Sequence, residues 1–482
     1  MLNKKDLRKI NDYLYEIPRV YRSDMRVPAR IYADEKMLDQ ILKDRSLEQL
    51  INVTVLPGIQ KYALAMPDCH EGYASPIGGV AAIRISDGII SPGMCGYDIN
   101  CGMKLLISNY KEEEIKSQIE NLATEIQKQV PSGLGRGGQS KLDIAGINKI
   151  LQGGAQKLVE QGYGNKEDLE NCEAGGKLDW ADASSVSNHA KNRGRDQVGT
   201  LGSGNHFLEI QKVDQIFDQN VAEVFGLFKD QVIIMVHCGS RGLGHQVCTD
   251  YLREFIPLME NKYKIRVPDK EFACVPFGSS EGQRYFSAMA AAANYAWANR
   301  QMIAHFVRKA WKSVLGEKDS GLRILYDVAH NIIKKEKYVI DGKEIDVAVH
   351  RKGATRAFPP GHSELPKVYR GIGQPVLIPG SMGTASYVLR GTEKGEESFY
   401  SVNHGAGRTM SRHAAMRMAR GDEVVKRLRQ KGILVKCRSM KGIAEEAPLA
   451  YKDVDQVVNI VERAGLAKKV ARLTPLAVIK GE

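Results

Sequence analysis

The chain has 482 residues and a net charge of +12, and 43% of its residues are hydrophobic while 26% are charged. This composition excludes an intrinsically disordered protein and provides enough apolar residues for one large core. Eight cysteines exclude a disulfide scaffold, and the charged N-terminus lacks the apolar run of a signal peptide. We therefore expect a cytoplasmic location with reduced thiols, and the positive charge permits a polyanionic partner.

Helical and strand patterns alternate along the chain. Residues 109–130 carry isoleucine and leucine at helical spacing, with Asn109 and Glu112 placed as a capping box. Short apolar runs predict buried strands at residues 80–85, 232–236, 324–328 and 375–379. Because the chain shows no internal repeat and no long linker, the pattern predicts a mixed α/β fold in a single domain over residues 1–482.

The longest apolar window spans residues 288–307. Four polar side chains interrupt it: Asn294, Asn299, Arg300 and Gln301. The window therefore predicts a buried helix and not a membrane span, and we expect no membrane partner.

Two further segments have a local interpretation. Residues 133–138 match the G-x-G-x-x-G pattern, but they follow a predicted helix and not a strand, so we interpret them as a loop and not as a dinucleotide site. A terminal lysine such as Lys480 is usually solvent-exposed on a frayed chain end. The apolar residues 475–479 that precede it predict instead a C-terminal tail docked on the protein.

Basic residues are concentrated between Arg408 and Lys441. For most of those after Arg420 we expect a solvated helix face. Arg408 and Arg412 directly follow the segment NHGAG and are spaced i, i+4, so we expect them to share one face of a helix. The backbone N–H groups at the start of such a helix suit a phosphate group.

Three of the eleven histidines lie in settings typical of a ligand site. His237 and His330 follow predicted strands, and His206 lies in the glycine-flanked turn GSGNHF. Ligands gather at the carboxyl ends of strands in α/β sheets, and glycine lets the backbone approach a ligand closely. We expect five other histidines to be structural, namely His189, His245, His305, His362 and His413. The sequence leaves His70 and His350 undecided.

Asp98 and Cys101 in the segment GYDINCG complete a donor set with these three histidines. Five ligands are too many for one tetrahedral ion with an open position, but they fit two ions if the thiolate bridges. The mixed oxygen, nitrogen and sulfur donors would accept Mn, Zn, Co or Fe. A pair of divalent ions is typical of phosphoryl transfer.

A set of motifs from residue 66 to the C-terminus resembles the RtcB family of RNA-splicing ligases. The motifs are MPDCHEGYASPIGGVAA, GYDINCG, GSGNHFLEI, HCGSRGLGHQ, YDVAHN, VHRKGATRAF, IPGSMGTASYVL, NHGAGR and LAVIKG. The resemblance implies a mixed α/β architecture particular to this family, with the active site in a central cleft.

The resemblance also implies a role for each matching residue. The implied ligands of two Mn²⁺ ions are Asp98, Cys101, His206, His237 and His330, with Cys101 bridging. His404 is the histidine expected to become guanylated. The residues implied to bind the guanine nucleotide are Asn205, Glu209, Ser381, Ser386, Gly405, Ala406, Gly407, Arg408, Tyr451 and Lys480. Asp68 is implied to be a second acidic residue that orients a ligand histidine, and Arg412 is a secondary residue of the site.

The activity implied by the resemblance is GTP-dependent ligation of RNA. RNA 3′-phosphate or 2′,3′-cyclic phosphate ends, with split tRNA halves as the expected substrate, would be joined to 5′-hydroxyl ends. The phosphate needs a leaving group, which GTP would supply through guanylated His404 and an RNA-(3′)pp(5′)G intermediate. An archease-type activator is a partner that the resemblance allows. The sequence does not indicate which RNA is joined, and residues 262–285 suggest no chemistry.

Two other classes of protein stay open. A binuclear metal phosphatase or nuclease acting on RNA ends would use the metals, but it would leave His404 and Lys480 without a role. An RNA-binding or chaperone-like protein with a structural zinc would use the basic surface, but the sequence has no Cys₂His₂-type cluster.

Two residues depart from the family's usual pattern. Cys95 stands where a small or branched apolar residue is usual, and Ala74 stands where glycine is common. Cys95 adds a thiol near the expected metal ligands.

Overall fold

The computed structural model describes residues 2–133, 142–316 and 321–481, and its fold is mixed α/β, as the sequence predicts. The strands in chain order are β1 (Arg8–Asn11), β2 (Leu14–Ile17), β3 (Ala29–Tyr32), β4 (Ala63–His70), β5 (Ile77–Arg84), β6 (Ile89–Ile90), β7 (Gly102–Lys111), β8 (Phe207–Ile216), β9 (Gln231–Cys238), β10 (Val275–Pro276), β11 (Arg323–Ala329), β12 (Asn331–Ile340), β13 (Lys343–Lys352), β14 (Ala354–Arg356), β15 (Pro375–Ile378), β16 (Ser386–Gly391), β17 (Ser401–Asn403), β18 (Leu434–Lys436) and β19 (Ala467–Lys480). All four predicted strands are confirmed by β5, β9, β11 and β15, although β5 and β15 each end one residue before the predicted run does.

The helices lie between these strands. In chain order they are α1 (Glu35–Ile41), α2 (Ser46–Val53), α3 (Glu112–Ile115), α4 (Ile119–Gln129), α5 (Ile144–Glu160), α6 (Lys166–Glu170), α7 (Asn188–Gly194), α8 (Gln219–Phe225), α9 (Arg241–Pro257), α10 (Ser280–Leu315), α11 (Arg412–Met418), α12 (Gly421–Gln430), α13 (Met440–Glu445) and α14 (Val454–Ala464). The expectation of a single domain over residues 1–482 stays a prediction.

Two large sheets organise the described residues. The first has the order β1-β2-β3-β4-β5-β13-β12, and the second has the order β11-β7-β9-β8-β19-β16-β15, with β18 beside β19. Apolar side chains cover both faces of the second sheet. On β9, Ile234 and Val236 face one core cluster while Ile233 and Met235 face another. Burial on both faces explains the continuous apolar runs in these strands, because successive side chains point to opposite faces.

The apolar window at residues 288–307 forms the middle of α10, and its side chains are mostly buried, so the prediction of a buried helix is confirmed. Fully buried Asn294 accepts a hydrogen bond from the Leu178 backbone N–H at 2.7 Å and donates one to Leu151 O at 2.9 Å. In the described part of the chain, none of the helices has the length and apolar character needed to cross a bilayer.

The predicted helix at residues 109–130 begins later than expected. Residues 109–111 belong to β7, and the helix starts at Glu112, where the Glu114 carboxylate accepts from the Lys111 backbone N–H. A 3₁₀ turn at Lys116–Gln118 then separates α3 from α4. The prediction of a capping box at Asn109 and Glu112 is therefore wrong, because pairing of Lys111 with Gln231 of β9 extends the strand past Asn109.

The prediction that one helix carries both Arg408 and Arg412 is also wrong. Helix α11 begins at Arg412 after its N-cap Ser411, and Arg408 lies in the preceding loop. The loop is held by hydrogen bonds from Arg408 Nε to Met410 O and from Thr409 N to Ala450 O. These contacts delay the start of the helix by one turn.

The C-terminal tail is docked, as predicted. It forms β19 between β8 and β16, with Lys480 opposite Phe207. The segment at residues 262–285 contains a 3₁₀ turn (Lys270–Phe272), β10 and the start of α10. The glycine motif at residues 133–138 lies outside the described residues, apart from Gly133.

The two residues that depart from the family's pattern are both buried. Ala74 has a φ of +58°, in the left-handed region that favours glycine, which gives a physical reason for the glycine common at this position. Cys95 packs in the apolar core beside α10, and burial raises the pKa of its thiol to about 12.

Replacing Asn294 with Leu tests the buried polar contacts of α10. The substitution leaves the Leu178 N–H and the Leu151 carbonyl without partners, and each unpaired buried group costs about 1–3 kcal/mol. We expect the free energy of unfolding to fall by about 2–4 kcal/mol in urea denaturation. The control is Asn121→Leu, an exposed position on α4 that should change stability little. Equal stability of the Asn294→Leu protein and the wild type would contradict this account.

Candidate functional site

Ends of four neighbouring strands meet at one edge of the second sheet. Cys101 and His206 directly precede β7 and β8, His237 lies near the carboxyl end of β9, and His330 directly follows β11. Because neighbouring strands here are antiparallel, amino and carboxyl ends alternate along one edge. The register pairs His237 with both Met103 and Phe207. The expectation of a site at the carboxyl ends of strands therefore describes only His237 and His330.

The Cys101 thiol lies between two pairs of side chains. Its Sγ is 3.3 Å from His206 Nε2 and 3.2 Å from His237 Nε2. His206 Nε2 is 2.8 Å from Asp98 Oδ2, and His237 Nε2 is 3.3 Å from His330 Nε2. The structure thus brings together all five side chains expected to bind metal, in two groups that share Cys101.

This donor set fits divalent transition metal ions. Donor atoms of Cys101, His206 and His237 all lie within 4.8 Å of one another, and all three residues are buried. A thiolate, imidazoles and a carboxylate are the donors that such ions accept. Cys95, the additional thiol, is not part of this group of donors.

The protonation of these groups also suits metal binding. Burial, followed by the charges of neighbouring histidines, lowers the pKa of His237 and of His330 well below its usual value, so both rings are neutral. Burial and the charge of Asp98 raise the pKa of Cys101 to about 12. A cation that binds here has to displace the thiol proton, so its affinity depends on pH.

Surrounding groups orient the donors. His237 Nδ1 donates to Asn205 O at 3.2 Å, which leaves Nε2 as the unprotonated nitrogen. The Ser240 backbone N–H and hydroxyl donate to Asp98 Oδ1 at 2.9 and 3.2 Å. Residue 239 has to be glycine, since a Cβ there would lie 2.4 Å from the Asp98 carboxylate. Burial opposes ionisation of Asp98, but its hydrogen bond with His206 brings its pKa below the usual value.

His404 lies beside the donors, 5.0 Å from His330 between ring centroids. It follows β17, which pairs with β14, and the Ala354 N–H of β14 donates to His330 O at 3.0 Å. The Asp68 carboxylate accepts hydrogen bonds from His404 Nδ1 at 2.6 Å and from the His404 backbone N–H at 2.9 Å. Nδ1 therefore carries the proton and Nε2 carries the lone pair. Asp68 orients His404, so the expectation that it orients a metal-binding histidine is wrong.

Lys452 holds the segment that carries Asp68. Its buried ammonium donates to the carbonyl oxygens of Pro67 and Cys69, and its backbone N–H donates to Gly407 O at 2.9 Å. Gly407 has a φ of +76°, and a Cβ there would lie 2.1 Å from Asp68 O. Sequence reasoning missed Lys452, since no spacing or composition marks a lysine that binds only backbone carbonyls.

A cavity of about 150 Å³ opens next to His404. Among the residues expected to bind the nucleotide or phosphate, those that line it are Asn205, Glu209, Ser381, Gly405, Ala406, Gly407, Arg408, Arg412, Tyr451 and Lys480. Ser386 does not line it. Its hydroxyl lies behind the wall, where it accepts from the Gly380 N–H at 3.2 Å and from Gln211 Nε2 at 3.1 Å.

Glu209 and Lys480 are buried, and both line this cavity. Burial raises the pKa of Glu209 to about 7, against the opposing effects of a hydrogen bond from Gln211 Nε2 at 2.7 Å and of the Lys480 charge. Lys480 is 4% exposed and donates to Gly204 O, and burial lowers its pKa. A carboxyl group that titrates near neutrality can bind a ligand rich in hydrogen-bond donors.

Acidic side chains hold the two arginines that line the cavity. Arg408 contacts Glu446 and the Tyr451 hydroxyl at 3.2 Å each, and Arg412 Nε lies 3.1 Å from Glu445. Glu446 is buried, lines the cavity and was missed, because nothing in the sequence separates it from the adjacent Glu445.

His70 also lines the cavity, and the sequence left its role undecided. Its Nδ1 donates to Asp68 O at 2.9 Å, so the ring is held against the segment that orients His404. His350, the other undecided histidine, is buried in the first sheet, and its Nδ1 donates to Ala348 O at 3.0 Å.

Comparison with known proteins gives one consistent result. A family model described as "tRNA-splicing ligase RtcB" matches residues 49–481. The tRNA-splicing ligase RtcB of Thermococcus kodakarensis is 52% identical over 478 residues, which cover 98% of this chain and 99% of that protein. The corresponding protein of Archaeoglobus fulgidus is 53% identical over 478 residues, with the same coverage. That of Methanococcus maripaludis is 50% identical over 484 residues, with 99% and 100% coverage. A match of this extent over both the family model and full-length relatives shows that the chain belongs to the RtcB family of tRNA-splicing ligases.

Proposed function

We propose that this protein is a GTP- and Mn²⁺-dependent RNA ligase. It joins RNA 3′-phosphate or 2′,3′-cyclic phosphate ends, such as those of tRNA halves, to 5′-hydroxyl ends. The observation that carries the proposal is the position of His404, which lines the cavity, has its tautomer set by Asp68, and lies 5.0 Å from His330 of the donor group. A histidine in this setting is suited to nucleophilic attack on a nucleotide phosphate.

His404 is the nucleophile of the first step. Its Nε2 lone pair attacks the α-phosphorus of GTP, an N–P bond forms, and the P–O bond to pyrophosphate breaks. The ring then carries a positive charge, which the Asp68 carboxylate stabilises through the 2.6 Å hydrogen bond at Nδ1. Lys452 keeps Asp68 in place during this change by holding the carbonyls on either side of it.

Two transfers complete the reaction. The RNA 3′-phosphate attacks the guanylated His404, which releases the imidazole and gives a 3′-diphosphate linkage to guanosine. The RNA 5′-hydroxyl then attacks the 3′-phosphorus, and GMP leaves with the electron pair of the broken P–O bond. GMP is a good leaving group, whereas the free phosphate dianion offers none. A 2′,3′-cyclic phosphate end has to be hydrolysed before the first of these transfers.

The residues that would hold two metal ions are Asp98 and His206 on one side of Cys101, and His237 and His330 on the other. When bound, such ions stabilise negative charge that develops on phosphoryl oxygens. His237 and His330 enter as neutral donors, since burial lowers the pKa of each. Two divalent cations held by these donors would concentrate positive charge where a polyanionic substrate has to bind.

The cavity provides the remaining contacts to the nucleotide. Glu209 would accept hydrogen bonds from N1–H and N2–H₂ of guanine, a donor pair that adenine lacks. Small residues at 405–407 leave room for a phosphate beside His404, and Arg408 and Arg412 add positive charge to the lining of the cavity. The net charge of +12 suits an RNA partner, and an archease-type activator and a cytoplasmic location belong to the same proposal.

Guanylation of His404 is tested with GTP labelled at the α-phosphate. His404→Ala should abolish protein-bound label, and Asp68→Asn should slow labelling on the order of 100-fold because it removes the charge that stabilises the imidazolium. The adduct should be lost in acid and kept in mild alkali, as expected for a phosphoramidate. The control is His413→Ala, an exposed histidine nearby, which should label normally. Label retained in His404→Ala would refute the assignment, and absence of label in the wild type would favour a metal phosphatase or nuclease.

The shared thiol is tested by metal analysis after gel filtration. Cys101→Ser should lose both ions together, since Cys101 belongs to both donor groups, whereas His330→Ala should lose mainly one. Cys437→Ser, a half-buried cysteine outside the donor group, is the matched control and should keep both ions. Two ions retained in Cys101→Ser would show that the thiolate does not bridge.

The role of Glu209 is tested by the pH dependence of guanosine binding. With a pKa of about 7, the carboxylate is mostly ionised at pH 8 and mostly protonated at pH 6, so affinity should fall about tenfold between these pH values. Guanosine carries no phosphate, so titration of the ligand's phosphate does not interfere. Glu209→Gln should bind more weakly, lose the pH dependence and narrow a preference for GTP over ATP that could reach about a hundredfold. If Glu209→Gln keeps the same pH dependence of guanosine binding, that dependence comes from another titratable group.

A further inference from the structure

Arg300 of α10 is fully buried, with a relative exposure of 0%. Removing a guanidinium from water costs several kcal/mol unless close partners compensate it, so its partners indicate what it does. Its Nε and one terminal nitrogen lie 2.9 and 2.8 Å from Asp327 Oδ1. Lys104 lies 3.3 Å from the other oxygen of the same carboxylate. One carboxylate therefore faces two cations, and Asp327 alone does not account for the position of Arg300.

The other contacts of Arg300 all reach the segments that carry the metal-site donors. Its second terminal nitrogen donates to Asn100 O at 2.7 Å and to Cys238 O at 2.8 Å. Asn100 directly precedes Cys101, and Cys238 directly follows His237. Asp327 lies on β11, three residues before His330. A single guanidinium thus contacts the three chain segments that bring Cys101, His237 and His330 together.

The Asn100 side chain strengthens this attachment. Its Oδ1 accepts from Arg300 at 3.2 Å, and its Nδ2 donates to Ala293 O of α10 at 2.7 Å. Asn100 has a φ of +53°, in the left-handed region that asparagine and glycine adopt more readily than other residues. The turn between Asp98 and Cys101 is therefore held against α10 by both its backbone and a side chain.

We propose that Arg300 is a positioning residue for the two-metal site. By binding the three segments at once, it sets the spacing of Cys101, His237 and His330, whose donor atoms lie 3.2–3.3 Å apart. The inference rests on the proposed metal site. Arg300 touches neither a substrate nor a donor atom, and it acts through the backbone on either side of the donors. A planar guanidinium with five N–H groups in a fixed fork suits this task, and a lysine ammonium does not.

The test uses Co²⁺ as a spectroscopic probe in Arg300→Lys, in the full-length protein. Lysine keeps the buried charge and the salt bridge to Asp327, but it cannot span the three acceptors. We expect the variant to fold, to bind Co²⁺ about 10–100-fold more weakly, and to show altered thiolate-to-Co²⁺ charge-transfer and ligand-field absorption. A loss of stability alone would leave the absorption spectrum of the bound ion unchanged.

Arg308→Lys is the matched control on the same helix. Arg308 forms a bidentate pair with Asp168 at 2.6 Å for each nitrogen. Its Nε donates to Leu322 O at 2.9 Å, just before β11 and eight residues before His330, and not to Asn100, Cys238 or Asp327. This variant should lose stability but keep the Co²⁺ affinity and spectrum of the wild type. Wild-type affinity and spectrum in Arg300→Lys would overturn the proposal.

A second variant covers the case in which Arg300→Lys does not fold. Asn100→Gly permits the left-handed backbone while removing the side-chain contacts to Arg300 and Ala293. We expect Co²⁺ affinity to fall about threefold to tenfold with the same spectral change, and no change would again overturn the proposal. If the proposed metal site itself is wrong, the result differs. Wild-type protein would then show no thiolate-to-Co²⁺ absorption band that is lost in Cys101→Ser.

Discussion

The site depends on the placement of five polar side chains in a buried space at the edge of the second sheet. Cys101 Sγ lies within 3.3 Å of two imidazoles that come from different strands, more than one hundred residues away in the chain. Burying such groups is unfavourable unless each finds a partner. The antiparallel register of β7, β8 and β9 fixes these distances, because each strand presents its end residue at the same level. The strand pairing that stabilises the sheet therefore also sets the geometry of the site.

The nucleophile belongs to the same assembly through a different part of the fold. Asp68 lies on β4 of the first sheet, His330 follows β11 of the second, and His404 follows β17 between them. A small change in the packing of the two sheets would therefore move His404 relative to His330. Lys452 binds both the Asp68 segment and the backbone at Gly407, so Asp68 and His404 keep their relative positions. Two buried cations accordingly hold backbone carbonyls at the site, Lys452 beside Asp68 and Arg300 beside Cys101 and His237.

Two kinds of charged group line the cavity. Glu209 and Lys480 have pKa values that burial shifts toward neutrality, which suits recognition of an uncharged base. Arg408 and Arg412 lie beside Glu445 and Glu446, so their positive charge is partly balanced until a phosphate enters. A ligand that combines a donor-rich base with phosphates matches this lining.

The sequence by itself determined the mixed α/β class, the buried strands, the buried helix α10, the docked tail and the family, since these follow from local apolar patterns and from contiguous motifs. It also named the side chains that gather at the site, through the motifs in which they stand. Only the tertiary structure decided that Asp68 serves His404, that Ser386 lies behind the cavity wall, that Arg408 precedes its helix, and that Lys452 and Arg300 hold the site. The physical reason is common to these cases. Each depends on contacts between residues far apart in the chain, and a lysine or arginine that binds backbone carbonyls leaves no pattern in the sequence around it.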